Sequence, residues 1–329
     1  MKKVLVTGAT GFVGSNLARA LIRDGFKVKC LVRKTSNTAN IDDMNVEVEY
    51  GDLTDKQSVV EALDGCEGLF HTAAYYKLWV ADPKIMYDIN VEGTKNVMAA
   101  ALERGLERVV YTSSVATLKV PDKNQVSDET CEPNPDEIVS HYKKSKYLAE
   151  VETCKIREQG LPVVIVNPST PIGPGDIKPT PTGQIVLDFI KRKMPAYVNT
   201  GLNIIDVEDC AAGHILAYKK GVVGERYILG NKNVTLREIL DILSDITGLS
   251  APRVRIPISI ALLAAYVDQF ISTRLLNKPP NIPVSGVKMA RKFMWFDSSR
   301  AVRELGLPQN PIENAFRKSV QWYKEHGYV

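Results

Sequence analysis

Val4-Leu-Val-Thr-Gly-Ala-Thr-Gly-Phe-Val-Gly14 is the stretch whose reading decides the fold. A short apolar run, Val4 to Val6, meets three glycines, Gly8, Gly11 and Gly14, and the chain continues with Leu17 and Leu21 on one helical face. The order is strand, tight turn, helix. Glycine lets the backbone turn sharply and approach a pyrophosphate closely, and the unpaired amides at a helix start attract its negative charge. A preceding strand and a following helix are the context this pattern needs to read as a dinucleotide-binding turn rather than a glycine-rich loop. Thr10, Phe12 and Val13 belong to the same turn and are expected to line the cofactor with the glycines.

The rest of the chain has the size and balance for such a fold. With 329 residues and 44% hydrophobic content it can bury a large core, and its length allows about two domains. Lys and Arg number 42 against 38 acidic residues, and a net charge of +4 gives no argument for a nucleic-acid partner. Cys30, Cys66, Cys131, Cys154 and Cys210 form no CxxC pair and no ligand spacing with histidine, so they read as reduced thiols of a cytoplasmic protein without a metal site. The opening Met-Lys-Lys is followed by only three apolar residues before Thr7, far short of a signal-peptide core. No apolar run approaches the 18 or so residues of a membrane span.

Downstream, strands are expected at Lys27 to Arg33, Val46 to Tyr50, Gly68 to Ala74, Arg108 to Ser114 and Pro162 to Asn167. Helices are expected between them, one capped by Thr54 or Asp55 and running to about Leu63, and two long ones at about Pro83 to Arg104 and Asp136 to Gln159. Such alternation implies an α/β protein with a doubly wound parallel sheet covered on both faces. Regularity breaks at Pro168, where a Pro/Gly-rich loop runs to Gly183. A strand at Asn203 to Val207 and a helix at Glu208 to Lys219 are expected to return to the sheet. Further helices are expected at Val234 to Thr247, Ile256 to Asn277, Ser298 to Leu305 and Ile312 to Glu325. The expected division is a dinucleotide-binding domain over residues 1–168, with 203–220 returning to it, and a smaller interleaved substrate domain over 169–202 and 221–329.

The chemistry is carried by Tyr142-Lys-Lys-Ser-Lys146. Four residues apart on a helix, the phenol and the ammonium share a face, within about 6 Å at Cβ. A nearby cation favours the phenolate, so the expectation is a Tyr142 pKa below the usual value of about 10 and a side chain able to exchange a proton near neutral pH. Thr112-Ser-Ser114 lies at the end of the fifth strand, where open α/β sheets place their ligands, and Ser114 would hydrogen-bond a substrate oxygen.

Together Gly8, Gly11 and Gly14, His71-Thr-Ala-Ala74, Asn90-Val-Glu-Gly-Thr94, Thr112-Ser-Ser114 and Tyr142/Lys146 resemble an extended short-chain dehydrogenase/reductase of the NAD-dependent epimerase/dehydratase superfamily, close to the dihydroflavonol reductase group. Tyr76-Lys-Leu-Trp79, Val166 to Gly183 and Gly224-Glu-Arg-Tyr-Ile-Leu-Gly230 further resemble the bacterial hopanoid-associated sugar epimerase family. The resemblance implies a Rossmann-type nucleotide domain and a homodimer in which the two long helices pack against their twins. Residue by residue it implies Tyr142 as general acid/base, Lys146 holding the nicotinamide ribose and tuning Tyr142, and Ser114 orienting the carbonyl or hydroxyl, with Thr112 and Ser113 beside it. Asp52 and Leu53 would border the adenine, Ala73 and Ala74 the ribose and nicotinamide channel, and Pro168 with Ser169 the nicotinamide. His71 is expected to be a core or supporting residue.

Three features of the chain bear on its substrate and cofactor. Sugar epimerases of the superfamily usually read Arg-Pro-x-Asn-x-Tyr-Gly-Pro after the sixth strand, whereas this chain reads Asn167-Pro-Ser-Thr-Pro-Ile-Gly-Pro174, replacing the Arg, Asn and Tyr that meet a nucleotide-sugar. Ile256 to Leu276 is unusually apolar and reads either as a buried helix or as a lid or surface meeting a lipid-like substrate or membrane. At the end of the second strand, Leu31-Val-Arg-Lys-Thr-Ser36 lacks the carboxylate that would accept from the adenosine ribose, and Arg33 with Lys34 can instead pair with a 2′-phosphate. The expectation is an NADP-dependent oxidoreductase acting on a small-molecule carbonyl or alcohol. An epimerase or dehydratase with retained cofactor comes second and a non-catalytic dinucleotide-binding regulator third.

Overall fold

The computed structural model describes residues 2–120, 125–135, 138 and 140–329. Its strands are, in chain order, β1 (Lys3–Thr7), β2 (Lys27–Val32), β3 (Glu47–Tyr50), β4 (Gly68–His71), β5 (Arg108–Thr112), β6 (Val163–Pro168), β7 (Thr170–Ile172), β8 (Ala196–Val198), β9 (Gly201–Asp206), β10 (Arg226–Leu229), β11 (Lys232–Thr235) and β12 (Val254–Ile256). The helices are α1 (Phe12–Arg23), α2 (Lys56–Ala62), α3 (Lys84–Tyr87), α4 (Gly93–Glu103), α5 (His141–Arg157), α6 (Pro181–Ile190), α7 (Val207–Lys220), α8 (Leu236–Thr247), α9 (Ile258–Phe270), α10 (Val284–Met289), α11 (Ser299–Leu305) and α12 (Ile312–Glu325).

Among the described residues, seven strands form one parallel sheet in the order β3-β2-β1-β4-β5-β6-β10. This is the doubly wound α/β fold expected from the alternation of strands and helices. Val4 to Val6 and Val163 to Val166 are buried runs of mostly β-branched residues, as a sheet covered on both faces requires. One core cluster lies under α1 and α7, and the other lies under α2, α4 and α5. Strand order reverses between β1 and β4, and such a switch opens a crevice at the C-terminal strand ends.

The second layer differs from expectation in one strand. The segment at 203–207 forms β9, which pairs with β7 and β11 in a separate three-stranded sheet. The seventh strand of the main sheet is β10, which extends parallel to β6 with Arg226 opposite Ile165. Both are short apolar runs, and periodicity does not tell one sheet from another. The helix after β9 does return, since α7 packs on α1 and β6.

Boundaries shift where the site lies. The fourth and fifth strands end at His71 and Thr112, short of Ala74 and Ser114. The first long helix is interrupted by a π-turn at Asp88–Glu92. The second begins at His141, capped by the Ser140 hydroxyl accepting from the Lys143 amide at 3.1 Å; Asp136, its expected start, lies outside the described residues. Helix α6 begins in the last residues of the expected loop and runs on past it, its start marked by Thr180 as cap and Pro181 in the first turn. Val234 belongs to β11, and α8 follows a Thr235/Glu238 capping box.

Candidate active site

Each predicted site residue sits at the C-terminal end of a parallel strand or in the turn just beyond it, except Phe12, Val13 and Gly14 in the first turn of α1 and Tyr142 and Lys146 on α5. The glycine turn follows β1. Gly8 has φ +76°, and a Cβ there would lie 2.7 Å from the Ala73 backbone, so the turn seats against the segment after β4 only as glycine. A Cβ on Gly14 would lie 2.1 Å from the Gly8 carbonyl oxygen, so α1 can start this close only without a side chain. The Gly11 amide donates to Gly8 at 2.9 Å, Gly11 is exposed, and no side chain caps α1. The first-turn amides at Phe12, Val13 and Gly14 therefore have no intrahelical acceptor, the arrangement a pyrophosphate takes.

Ser114 caps the short 3₁₀ turn Val115–Thr117, its hydroxyl accepting from the Ala116 amide at 3.1 Å, and it is near enough to the Tyr142 phenol to favour its ionised form. The Tyr76 ring lies tilted over Tyr142 with centroids 4.4 Å apart. Removal of water pushes the Tyr142 pKa up to about 12, the neighbouring Ser114 hydroxyl pulling it down less strongly. The expected lowering by Lys146 is thus corrected: the ammonium turns from the phenol, donating to the Thr112 carbonyl at 2.8 Å and the Tyr111 hydroxyl at 3.2 Å. Lys146 is 2% exposed. Burial lowers its pKa to about 8, and the Glu150 charge one turn further on opposes the fall.

Buried polar groups fix this triad from behind. Glu150 accepts from Ser113 and, at 2.9 Å, from Thr117, and its other oxygen pairs with Arg226 at 2.7 Å. The Thr112 hydroxyl meets Nε2 of His214 at 3.0 Å, and Nδ1 of that ring meets the Cys210 carbonyl at 2.7 Å. Nδ1 must donate to a carbonyl, so Nε2 accepts from Thr112 and the ring is neutral; burial pushes its pKa down to about 4. His71 is 1% exposed between the Thr7 and Thr94 hydroxyls, with its pKa lowered to about 3 by burial and by Lys146. Asn90, in the π-turn, receives the Tyr75 amide at 2.6 Å and donates to Ser145 at 2.9 Å, tying the loop after β4 to α5.

The remaining predicted residues ring the crevice. Arg33 and Lys34 are exposed just past β2. Asp52 accepts from the Thr54 amide and hydroxyl, and Leu53 packs on the core beneath α4. Ala73 and Ala74 follow Thr72, whose hydroxyl donates to the Thr7 carbonyl at 2.7 Å. Pro168 ends β6 buried, and the Ser169 hydroxyl is buried with no protein partner among the described residues. A dinucleotide fits these residues on two observations: the open amides of α1 and this unpaired hydroxyl.

Beside Tyr142 opens a cleft of about 290 Å³, walled by Leu78, Trp79, Val80, Met86 and Val284. Sequence reasoning quoted Tyr76 and Trp79 without giving them a role and missed Glu150 and Asp176. Glu150 carried a signal, since an acid one turn beyond Lys146 falls on the same helix face. Asp176, 2% exposed, accepts from the Thr180 amide and hydroxyl at 2.8 Å through one oxygen, while the other has no partner among the described residues. Burial raises its pKa to about 6. Nothing in its Gly-Asp-Ile-Lys context foretold this.

The model of the NAD-dependent epimerase/dehydratase family matches residues 4–230. The chain belongs to that family. Within this family and the wider extended short-chain dehydrogenase/reductase superfamily, it is 48% identical over 98% of its length to "Putative dihydroflavonol 4-reductase" of Synechocystis sp., covering 95% of that protein. It is 35% identical over 99% of its length to sterol demethylase protein B of Methylococcus capsulatus, covering 99% of that protein. The crystal structure of gox2253, 45% identical, superposes with a TM-score of 0.89 over the whole of both chains. The protein is thus an enzyme of an oxidoreductase family that uses a nicotinamide dinucleotide and a small-molecule substrate.

Proposed function

We propose that this family member is an NADP-dependent reductase that converts a carbonyl group of a small organic molecule to an alcohol. The observation that carries the reading is the position of the Tyr142 phenol, which lines a cleft walled largely by apolar side chains and lies against the Tyr76 ring with centroids 4.4 Å apart. A protonated phenol so placed can give the proton that reduction consumes. The nicotinamide supplies the hydride when bound. Ser114 holds the carbonyl oxygen, Tyr142 donates its proton to that oxygen as the C–H bond forms, and the product is an alcohol with the dinucleotide oxidised. Lys146 carries positive charge on the same helix face and holds the nicotinamide ribose. The α1 amides with Gly8, Thr10, Gly11, Phe12, Val13 and Gly14 hold the pyrophosphate, Asp52 and Leu53 border the adenine, and Ala73, Ala74, Thr112, Pro168 and Ser169 line the nicotinamide side.

Two finer points belong to the same reading. Arg33 and Lys34 select the 2′-phosphate of NADP over NAD, and residues 169–202 and 221–329, apart from β10, shape the substrate side. A homodimer through α4 and α5 completes the picture, since these helices pack side by side against the sheet. Support for reduction over epimerisation comes from the missing Arg, Asn and Tyr after β6 and from the names of relatives, which include cinnamoyl-CoA reductase 1 of Petunia hybrida at 29% identity. The test is purified protein with NADPH offered dihydroflavonols, cinnamoyl-CoA thioesters, alicyclic ketones and UDP-sugars. Alcohol formation matched by NADPH oxidation is expected. UDP-sugar interconversion without added cofactor would replace the reading.

A further inference from the structure

Helix α9 is built inside out. Its small or buried positions, Ala261, Leu262 and Ala265, face the protein, while Leu263, Phe270 and, in the π-turn Ile271–Leu275 that extends the helix, Leu275 are 67%, 62% and 69% exposed. Ile260, Val267 and Ile271 are exposed as well, so the stripe recurs every three or four residues along one side. Globular proteins rarely leave such a face in water without a partner for it. The run Ile258–Leu275 has a mean hydropathy of 1.2, enough by length and composition to cross a membrane, yet only 22% of it is buried. The buried-helix alternative of the sequence reading is therefore corrected.

Charge identifies the partner. Residues 251–292 hold seven of the chain's 42 Lys and Arg, namely Arg253, Arg255, Arg274, Lys278, Lys288, Arg291 and Lys292, but only one of its 38 acids, Asp268. This segment alone outweighs the whole chain's net charge of +4. A second copy seated on the stripe would bring the two sets of cations together. A span is disfavoured by Asp268, which accepts from Asn281 and the Ile282 amide at 2.8 Å and so fastens the helix to the segment leading into α10.

We propose that the α9 stripe and its cationic flank dock flat on an anionic lipid surface, the apolar side chains entering the acyl boundary and the Lys and Arg meeting headgroup phosphates. Apolar burial and anionic attraction together are what hold interfacial helices. Gln269 of α9 and Val284 of α10 also wall the cleft beside Tyr142, so docking brings that mouth to the membrane.

The test is sedimentation of the full chain with phosphatidylcholine vesicles, with and without phosphatidylglycerol. Binding to the mixed vesicles, weak binding to the neutral ones and release by salt are expected. Arg253→Gln/Arg255→Gln/Lys278→Gln should lower partitioning on the order of 100-fold, at about a fivefold loss for each cation near the surface. Leu263→Ser/Phe270→Ser/Leu275→Ser, all solvent-facing and checked for an unchanged unfolding midpoint, should abolish it. Failure of the wild-type chain to bind either vesicle, or binding by both variants as strong as the wild type's, would overturn the proposal. So would a wild-type dimer in lipid-free sedimentation that the Ser variant converts to monomer. The readout needs no turnover, so it stands or falls apart from the reductase reading.

Discussion

Replacing Lys146 by Met should trade function for a change in the pH dependence of stability. The ammonium is 2% exposed, and burial moves its pKa from the ordinary 10.5 to about 8. At 1.4 kcal/mol per pH unit, keeping it charged at pH 7 costs about 3 kcal/mol. Against that gain, Met leaves the Thr112 carbonyl and Tyr111 hydroxyl without the Lys146 donor, a loss of about 1–3 kcal/mol. At pH 7 the two nearly cancel, so a single unfolding curve decides little. The pH slope separates them. The folded pKa is depressed, so between pH 8 and 10.5 the unfolded chain binds the extra proton and wild-type stability rises with pH; that contribution is lost as pH falls through 8. The variant has no such group. Urea unfolding of both proteins from pH 7 to 9.5 should show the wild type gaining about 2 kcal/mol relative to the Lys146→Met variant, whatever the hydrogen-bond loss. A difference flat across that range would refute the buried, charged state of Lys146.

Other outcomes follow from single contacts. Tyr142→Phe should lower kcat by about 100-fold or more while the NADPH dissociation constant stays within about twofold, because it deletes the proton and little binding surface; fluorescence titration beside steady-state rates checks it. Arg33→Asp should cost NADP affinity about 10-fold or more and leave NAD affinity nearly unchanged, read from dissociation constants for both cofactors. Gly14→Ala places a Cβ 2.1 Å from the Gly8 carbonyl and should weaken NADPH binding at least as much, measured by calorimetry. Asp176, with its folded pKa raised to about 6, contributes stability below pH 3.8 that is lost as pH rises through 6. Asp176→Asn should therefore gain on the wild type by about 3 kcal/mol between pH 3.5 and 7 in urea unfolding.

The sheet was legible because its strands are apolar runs bounded by glycine and proline, and Gly8, Gly11 and Gly14 announce the first turn outright. Tyr142 and Lys146 were legible because i,i+4 spacing on a helix puts two side chains on one face. Their electrostatics were not. Spacing says that a phenol and an amine are neighbours, but desolvation decides both pKa values here, and the lysine amine finds the Thr112 carbonyl instead of the phenol. The swap of β9 for β10 had the same origin, since which sheet a short strand joins depends on contacts distant in sequence. Asp176 was invisible because its burial depends on Thr180 and on Tyr323 from the far C-terminal helix. The exposed face of α9 was left open between a core and a surface reading because apolar composition alone does not say whether a helix faces the core or the outside.

The most direct test of net reduction with Tyr142 as proton donor uses NADPH deuterated at nicotinamide C4 and whichever carbonyl substrate the screen returns. The account predicts one deuterium at the carbinol carbon of each product alcohol, one NADPH oxidised per alcohol formed, and loss of both in Tyr142→Phe. Turnover with no net NADPH oxidation, or product formed at an undiminished rate by Tyr142→Phe, would contradict it.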